Sequence, residues 1–284
     1  MSDGSADTTD DLAGRTFIVT GAGTGIGRAT ALALAARGAT VFMAGRSEAR
    51  TRAAIDAISA QTGSERLRFL ALDLADLSSV RECARSFLET GEPLHCLVNN
   101  AGLAGSRGLT DSGFELAFGT NHVGPFLLTS LLTDRLRESA PARVVNVASD
   151  AHMRASGIDW DAVRRPTRTR TAFAEYGVSK LANVLHAQEL GRRLADARVS
   201  ACSLHPGVVA SDIWRRVPWP IRPLMKLRML SPEQGARTSL HCATAAELQS
   251  GGYYEKCAPR PPSRTATPEL AAELWRRSEE WVAA

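Results

Sequence analysis

Tyr176 and Lys180 stand four residues apart in the stretch 171–183, Thr-Ala-Phe-Ala-Glu-Tyr-Gly-Val-Ser-Lys-Leu-Ala-Asn. On a helix that spacing stacks the two side chains on one face. A free phenol titrates near about pH 10, and a fixed ammonium beside it favours the phenolate. Such a pair could give or take a proton near neutral pH, as a ketone requires when a hydride arrives at its carbon. Two exposed helix residues would meet at this spacing by chance as readily, so the remaining parts of such a site must be sought elsewhere.

The elements that would position the pair begin with residues 15–20, a short apolar run of the kind a buried parallel strand needs. It feeds into Gly21-Ala-Gly-Thr-Gly-Ile-Gly27, after which residues 26–37 turn helical and alanine-rich. In that context the glycines permit a tight turn and bring backbone N–H groups to a pyrophosphate at a helix N-terminus. A loop that needs glycine only for its backbone angles is the plainer alternative. A second strand, 39–44, runs into Gly45-Arg46-Ser47. An NAD site places an acid there for the ribose 2′-hydroxyl, but the first carboxylate is Glu48. Arg46 stands where a 2′-phosphate needs a cation, and a guanidinium suits phosphate bidentately. It could equally be a surface arginine opening the next helix; the missing acid favours NADP(H).

The alternation continues with a helix at 49–61, a strand at 67–72 ending at Asp73, a helix at 77–88 and a strand at 94–98. Asp73 sits where ligands of open α/β sheets gather, and would also serve as a turn or cap residue. Asn99-Asn100-Ala101-Gly102 follows, two amides able to tie neighbouring strands to the glycine loop. Residues 111–137 read as one long helix interrupted near Gly124-Pro125, with Asn121 ahead of the break and able to satisfy a freed backbone group. His122 beside it reads as structural. A strand at 143–147 leads to Ser149, whose hydroxyl could donate to a carbonyl oxygen or cap a turn. His152 could line a pocket or lie in an ordinary loop. The polar stretch 151–170, with Arg164, Arg165, Arg168 and Arg170, reads as an excursion before a central helix at 171–195; the arginines read as solvated or as a lip for an anion. A strand at 199–204 reaches His205-Pro206-Gly207, and Ser211 beyond could bind the nicotinamide amide or a phosphate, or cap a turn. Segment 212–232 is irregular and apolar, and is expected to cover a substrate; a membrane-touching or dimer surface is the alternative. A helix at 233–244, a last strand from Tyr253 and a helix at 269–282 complete the chain.

The Gly-x-x-x-Gly-x-Gly spacing, Asp73, Asn-Asn-Ala-Gly, Asn121, Ser149, Tyr176/Lys180 and Pro206-Gly207 occur in the order found in the short-chain dehydrogenase/reductase family, which this chain resembles over residues 15 to about 281. Asn121-His-Val-Gly-Pro-Phe-Leu-Leu and Tyr176-Gly-Val-Ser-Lys-Leu-Ala-Asn resemble its retinol dehydrogenase and carbonyl reductase branch. The resemblance implies a single Rossmann-fold α/β domain: a doubly wound parallel sheet of about seven strands with helices on both faces. It implies an NADP(H)-dependent oxidoreductase acting on a carbonyl or alcohol, in which Asn121, Ser149, Tyr176 and Lys180 are catalytic. Lys180 would hold the nicotinamide ribose and lower the Tyr176 pKa, and Asn121 would hold a water chain toward Lys180. Gly21, Thr24, Gly25, Ile26, Gly27, Arg46, Asp73, Leu74, Asn100, Ala101, Gly102, Tyr176, Lys180, Pro206, Gly207, Val209 and Ser211 would meet the cofactor. A non-catalytic dinucleotide-binding regulator, or an epimerase that retains its cofactor, are readings from other classes.

Composition bounds the remainder. The chain has 284 residues, a net charge of +4 and five dispersed cysteines without a Cys-x-x-Cys pair. These point to reduced thiols, with neither a disulfide framework nor a metal site expected, and give no signal for nucleic acid. No apolar run approaches the roughly 20 residues of a membrane helix. Residues 1–12 are polar and acidic, and read as a disordered tail before a domain at 13–284. Cytoplasmic localisation, a small-molecule carbonyl or alcohol partner and possible homo-oligomers are the remaining expectations. The Ala- and Arg-rich composition suggests a bacterial relative.

Overall fold

Apolar side chains on both faces of a strand require a cover on each side. In β1 (Thr16–Thr20) every residue is buried; Phe17 and Val19 enter one hydrophobic layer and Ile18 the other. The computed structural model describes residues 11–209 and 229–283. After β1 come α1 (Gly25–Ala35), β2 (Thr40–Gly45), α2 (Glu48–Thr62), β3 (Leu67–Ala71), α3 (Leu77–Leu88) and β4 (Cys96–Asn99). A short α4 (Leu116–Phe118), a π turn (Gly119–Val123), α5 (Gly124–Glu138) and β5 (Ala142–Val147) follow. Then come α6 (Phe173–Arg193), β6 (Val199–His205), α7 (Pro232–Thr244), β7 (Tyr253–Glu255), β8 (Ala258–Arg260) and α8 (Pro268–Ala283).

The sheet order is β3-β2-β1-β4-β5-β6-β7-β8, with the first seven parallel and β8 antiparallel to β7. Helices α1, α2 and α7 cover one face, and α3, α5, α6 and α8 the other. This is the doubly wound α/β domain expected, with one strand more than the sequence reading counted. β8 is the addition: three exposed residues, Ala-Pro-Arg, carry no apolar alternation to announce a strand. The order reverses between β1 and β4, where ligands of such sheets bind beyond the carboxyl ends of the strands.

The region read as a helix over 111–137 is built differently. Helical structure begins at Leu116, capped by the Glu115 carboxylate, which accepts the Phe118 N–H at 2.8 Å. Gly124-Pro125 is not a break but the junction where the π turn passes into α5. Pro125 lies in the first turn of α5, where a missing N–H costs little. Of the tail, residues 1–10 lie outside the described residues; Leu12 is buried and Asp11 pairs with Arg37 at 2.5 Å. The cysteines are free thiols, all buried except the half-buried Cys257. Among the described residues no helix is long and apolar enough to cross a membrane.

Candidate active site

The glycine loop closes against the Asn-Asn-Ala-Gly segment. Gly21 has φ +67°, and a Cβ there would lie 3.0 Å from Ala101. A Cβ on Gly27 would sit 2.6 Å from the Gly21 carbonyl and 2.5 Å from the Asn100 amide, so only glycine fits. Asn100 donates its side-chain N–H to the Thr20 carbonyl at 2.7 Å, and the backbone N–H groups of Asn100 and Ala101 donate to the Thr20 hydroxyl. Asn99 donates across to Asn146 on β5 at 3.0 Å. The two amides therefore tie β1, β4 and β5 together, as their types suggested.

The first turn of α1 is left open. Thr24 stands at its N-cap without a side-chain capping bond, and the turn carries no acid. Orphan N–H groups at a helix start, preceded by a glycine bend, fit a pyrophosphate. The residues present therefore suit a dinucleotide. Gly25 opens α1 at φ +55° and Ile26 is half-buried beside Val209. Arg46 follows the end of β2 with its side chain 79% exposed, its guanidinium 3.8 Å from Asp73. Asp73 also accepts the Ala75 N–H at 3.0 Å, the turn role available to it from sequence. Leu74 is buried, its carbonyl against Gly124. Gly207 follows Pro206 with φ +87°, packed on Leu230. Ser211 and most of 212–232 lie outside the described residues.

Tyr176 and Lys180 share a face of α6, and both are buried. The Lys180 ammonium lies 5.7 Å from the Tyr176 ring centroid and donates to the Val147 carbonyl at 2.8 Å. Burial alone lowers its pKa to about 7. The Tyr176 phenol is shifted by groups other than Lys180 in this cofactor-free structure. Burial pushes the phenol up, a hydrogen bond with Ser149 pulls it back, and the Asp150 charge pushes it up again.

Ser149 caps a 3₁₀ turn (Asp150–Arg154), accepting the Ala151 N–H at 3.2 Å. Gly177 allows that turn to lie against α6: a Cβ there would sit 3.1 Å from the Ala151 carbonyl. This contact sets the Ser149 turn against α6 beside the residue that follows Tyr176. Asn121, in the π turn, accepts the Leu103 N–H at 2.9 Å and donates to the Leu103 carbonyl and the Ser179 hydroxyl. It satisfies a loop backbone rather than its own helix. A Cβ on Gly102 would lie 3.1 Å from the Asn121 amide oxygen and 3.3 Å from the Lys180 nitrogen, so these groups converge on one point.

Two side chains acquire significance only in three dimensions. His152 is fully buried; its Nδ1 lies 2.6 Å from the Ser149 carbonyl, and its Nε2 accepts the Ser263 N–H at 3.1 Å. It is neither a pocket wall nor a loop residue, but a bridge from the Ser149 turn to the segment before α8. Asp150, exposed at the same turn, accepts the Ser149 hydroxyl at 3.1 Å. No residue-type pattern in the chain marked it. His122 is structural as read, 2.9 Å from the Ser278 hydroxyl. Arg164 lies over the Phe114 ring, and Arg165, Arg168 and Arg170 are exposed.

A phenol, a hydroxyl and an amine thus gather at the carboxyl edge of the sheet beside the glycine loop. The chain belongs to the short-chain dehydrogenase/reductase family: residues 15–160 match the family described as short chain dehydrogenase. Within it the chain falls in the retinol dehydrogenase branch. Retinol dehydrogenase 12 of Mus musculus is 43% identical over 279 residues, covering 95% of this chain and 86% of that one. Retinol dehydrogenase 13 of Homo sapiens is 40% identical over 283 residues, covering 95% and 85%. Among solved structures, an uncharacterised protein from Mycobacterium Paratuberculosis superposes with a TM-score of 0.76 at 34% identity, covering 97% of both chains. The RhlG/NADP active-site complex of Pseudomonas aeruginosa gives 0.71 at 27%, covering 87% and 96%. Members of this family are oxidoreductases that work with a nicotinamide cofactor.

Proposed function

We propose that the protein is an NADP(H)-dependent reductase of a ketone or aldehyde on an apolar substrate, with alcohol oxidation as the reverse path. The observation that carries this reading is the convergence of Ser149, Tyr176 and Lys180 beside the glycine loop. When bound, the cofactor supplies the hydride that adds to the carbonyl carbon. Ser149 and Tyr176 hydrogen-bond the carbonyl oxygen, and Tyr176 gives up its proton as that oxygen gains charge. Lys180 would hold the nicotinamide ribose, and Asn121 beside it would help to order water that returns a proton toward the amine. The hydrogen bond from Lys180 to the Val147 carbonyl fixes its direction.

NADP(H) is favoured by the absence of a carboxylate at the end of β2 and by Arg46, which reaches solvent there. The NADP in the Pseudomonas complex lends the same preference. An apolar substrate is favoured by exposed Met153, Phe173, Val208 and Leu230. Phe173 stands edge-on to Tyr176 with centroids 6.4 Å apart. The test is turnover of NADPH with varied carbonyl compounds. Tyr176→Phe is expected to lower it at least about a hundredfold while NADPH still binds. Full activity in that variant would end the proposal.

A further inference from the structure

The stretch 162–174 carries four arginines and no acid, and the proposed chemistry gives them no task. Arg164 is spent over the Phe114 ring and beside Gly113. Arg165, Arg168 and Arg170 are exposed, as is Arg107, and none of the four has an ion-pair partner among the described residues. Exposed arginines on a loose loop would be an ordinary solvated face. This loop is instead pinned along its length. Thr167 donates its backbone N–H to the Gly108 carbonyl at 3.2 Å, and its hydroxyl accepts the Gly108 N–H at 3.0 Å and bonds the buried Glu115 carboxylate. The backbone N–H groups of Arg168 and Thr169 donate to the Glu175 carboxylate at 3.0 and 2.8 Å. Four like charges are therefore carried on one fixed frame, where their fields add and favour an anion.

The same frame forms a wall of the candidate active site. Its first loop starts at Gly102, beside Asn121 and Lys180, where Leu103 exchanges hydrogen bonds with the Asn121 amide. From there it runs out to Arg107. The second loop carries the other arginines and ends at Phe173, edge-on to Tyr176. The two loops meet where a Cβ on Gly105 would lie 3.9 Å from the Thr171 carbonyl. The inner end of the cleft has the opposite sign, because Asp150 accepts the Ser149 hydroxyl there at 3.1 Å. A negative group on a substrate is thus repelled beside the reacting carbonyl and attracted at the outer rim. Of the acids around the rim, Glu175 is half-buried and turned to the loop backbone, and Asp159 accepts the Asp161 and Ala162 N–H groups. That leaves exposed Asp111 and Asp161 against the four guanidinium groups.

We propose that the substrate is an amphiphile with its carbonyl at one end of an apolar chain and a carboxylate at the other, the carboxylate being held at the cleft mouth by Arg107, Arg165, Arg168 and Arg170. A guanidinium binds a carboxylate through two parallel hydrogen bonds, and the exposed apolar residues Met153, Phe173, Val208 and Leu230 suit the chain between the two ends. The inference deepens the carbonyl-reductase reading and rests on it for the reacting end. The anion site rests on the arginine frame alone.

The test compares ω-oxodecanoate with its methyl ester as substrates, which differ by one charge at the end remote from the aldehyde. In the wild-type protein the acid should be favoured in kcat/KM by about fivefold to twentyfold, the size of one or a few exposed charge contacts. That ratio should fall to about one when Arg107→Gln, Arg165→Gln, Arg168→Gln and Arg170→Gln are combined, and should shrink for the wild-type protein in about 1 M salt. In parallel, equilibrium dialysis compares the binding of decanoate with that of methyl decanoate, and the combined variant should lose the preference for the acid there too. A wild-type ratio near one, or a preference that the four substitutions leave intact, overturns the inference while the reductase reading stands. Arginine-dependent binding of phosphatidylglycerol vesicles with no preference for the acid assigns the rim to a lipid surface and overturns it as well. If neither aldehyde is reduced, the reductase reading falls separately, and the dialysis still decides the anion site.

Discussion

Lys180 shows how a residue can be right for chemistry and wrong for stability. Its amine is buried, and desolvation brings its pKa down to about 7 from an ordinary 10.5. Below pH 7 the folded protein must carry that buried charge, and the unfolded chain carries it at no penalty. Between pH 7 and 10.5 the unfolded state binds the extra proton, so folding is favoured progressively as pH rises through that window. Lys180→Met should therefore raise the melting temperature of the cofactor-free protein at pH 6 to 7, by a margin that shrinks toward pH 10, while abolishing turnover. The Val147 carbonyl keeps the Asn183 amide at 3.4 Å, so the substitution does not orphan it. Melting curves across pH check this, and a destabilised variant at pH 6 would refute it. Arg46 presents the opposite case, exposed and only loosely paired with Asp73. Arg46→Ala is expected to raise the KM for NADPH roughly tenfold and leave that for NADH nearly unchanged, the size of one lost charge-assisted contact. Steady-state kinetics with both cofactors check it. At this scale the sequence was most informative where chemistry depends on residue type and spacing, as for Tyr176, Lys180 and the glycines. It was silent on Asp150 and His152, because their meaning lies in which neighbours the 3₁₀ turn brings to them.

Among the elements, the π turn between α4 and α5 has the largest effect on the site. It places Asn121 against Leu103 and Ser179, and it lets α5 begin at a point of very close packing. A Cβ on Gly124 would lie 2.3 Å from the Leu74 carbonyl, a backbone atom that cannot rotate away. Gly124→Ala should cost about 2 kcal/mol by overpacking, despite alanine's better helix propensity. Denaturant unfolding measures this, and a neutral or stabilising result would mean the loop at Leu74 yields freely. The turn was not legible in sequence because a single wider turn leaves the apolar period almost unchanged, so 111–137 read as one helix with a proline break. The strands and the helices α3 and α6 were legible to within a few residues. Their apolar runs are bounded by Gly, Pro or polar residues that end them for clear steric reasons. β8 was not, because an exposed Ala-Pro-Arg looks like any loop.

For the whole molecule, the parallel sheet fixes where function can sit. All of the strands from β1 to β6 deliver their carboxyl ends to one edge, so residues separated by more than a hundred positions, Thr20 and Val147 among them, arrive at the same border of the sheet. This arrangement follows from the alternation of strand and helix and was readable at once. The side-chain tautomers and hydrogen-bond directions that tune the edge were not. The far border of the sheet has its own consequence. β8 reverses direction there and sets Pro259 opposite Tyr254, offering an imino nitrogen that cannot donate. That leaves the margin one backbone donor short, which disfavours its prolongation by a strand lent from a second copy.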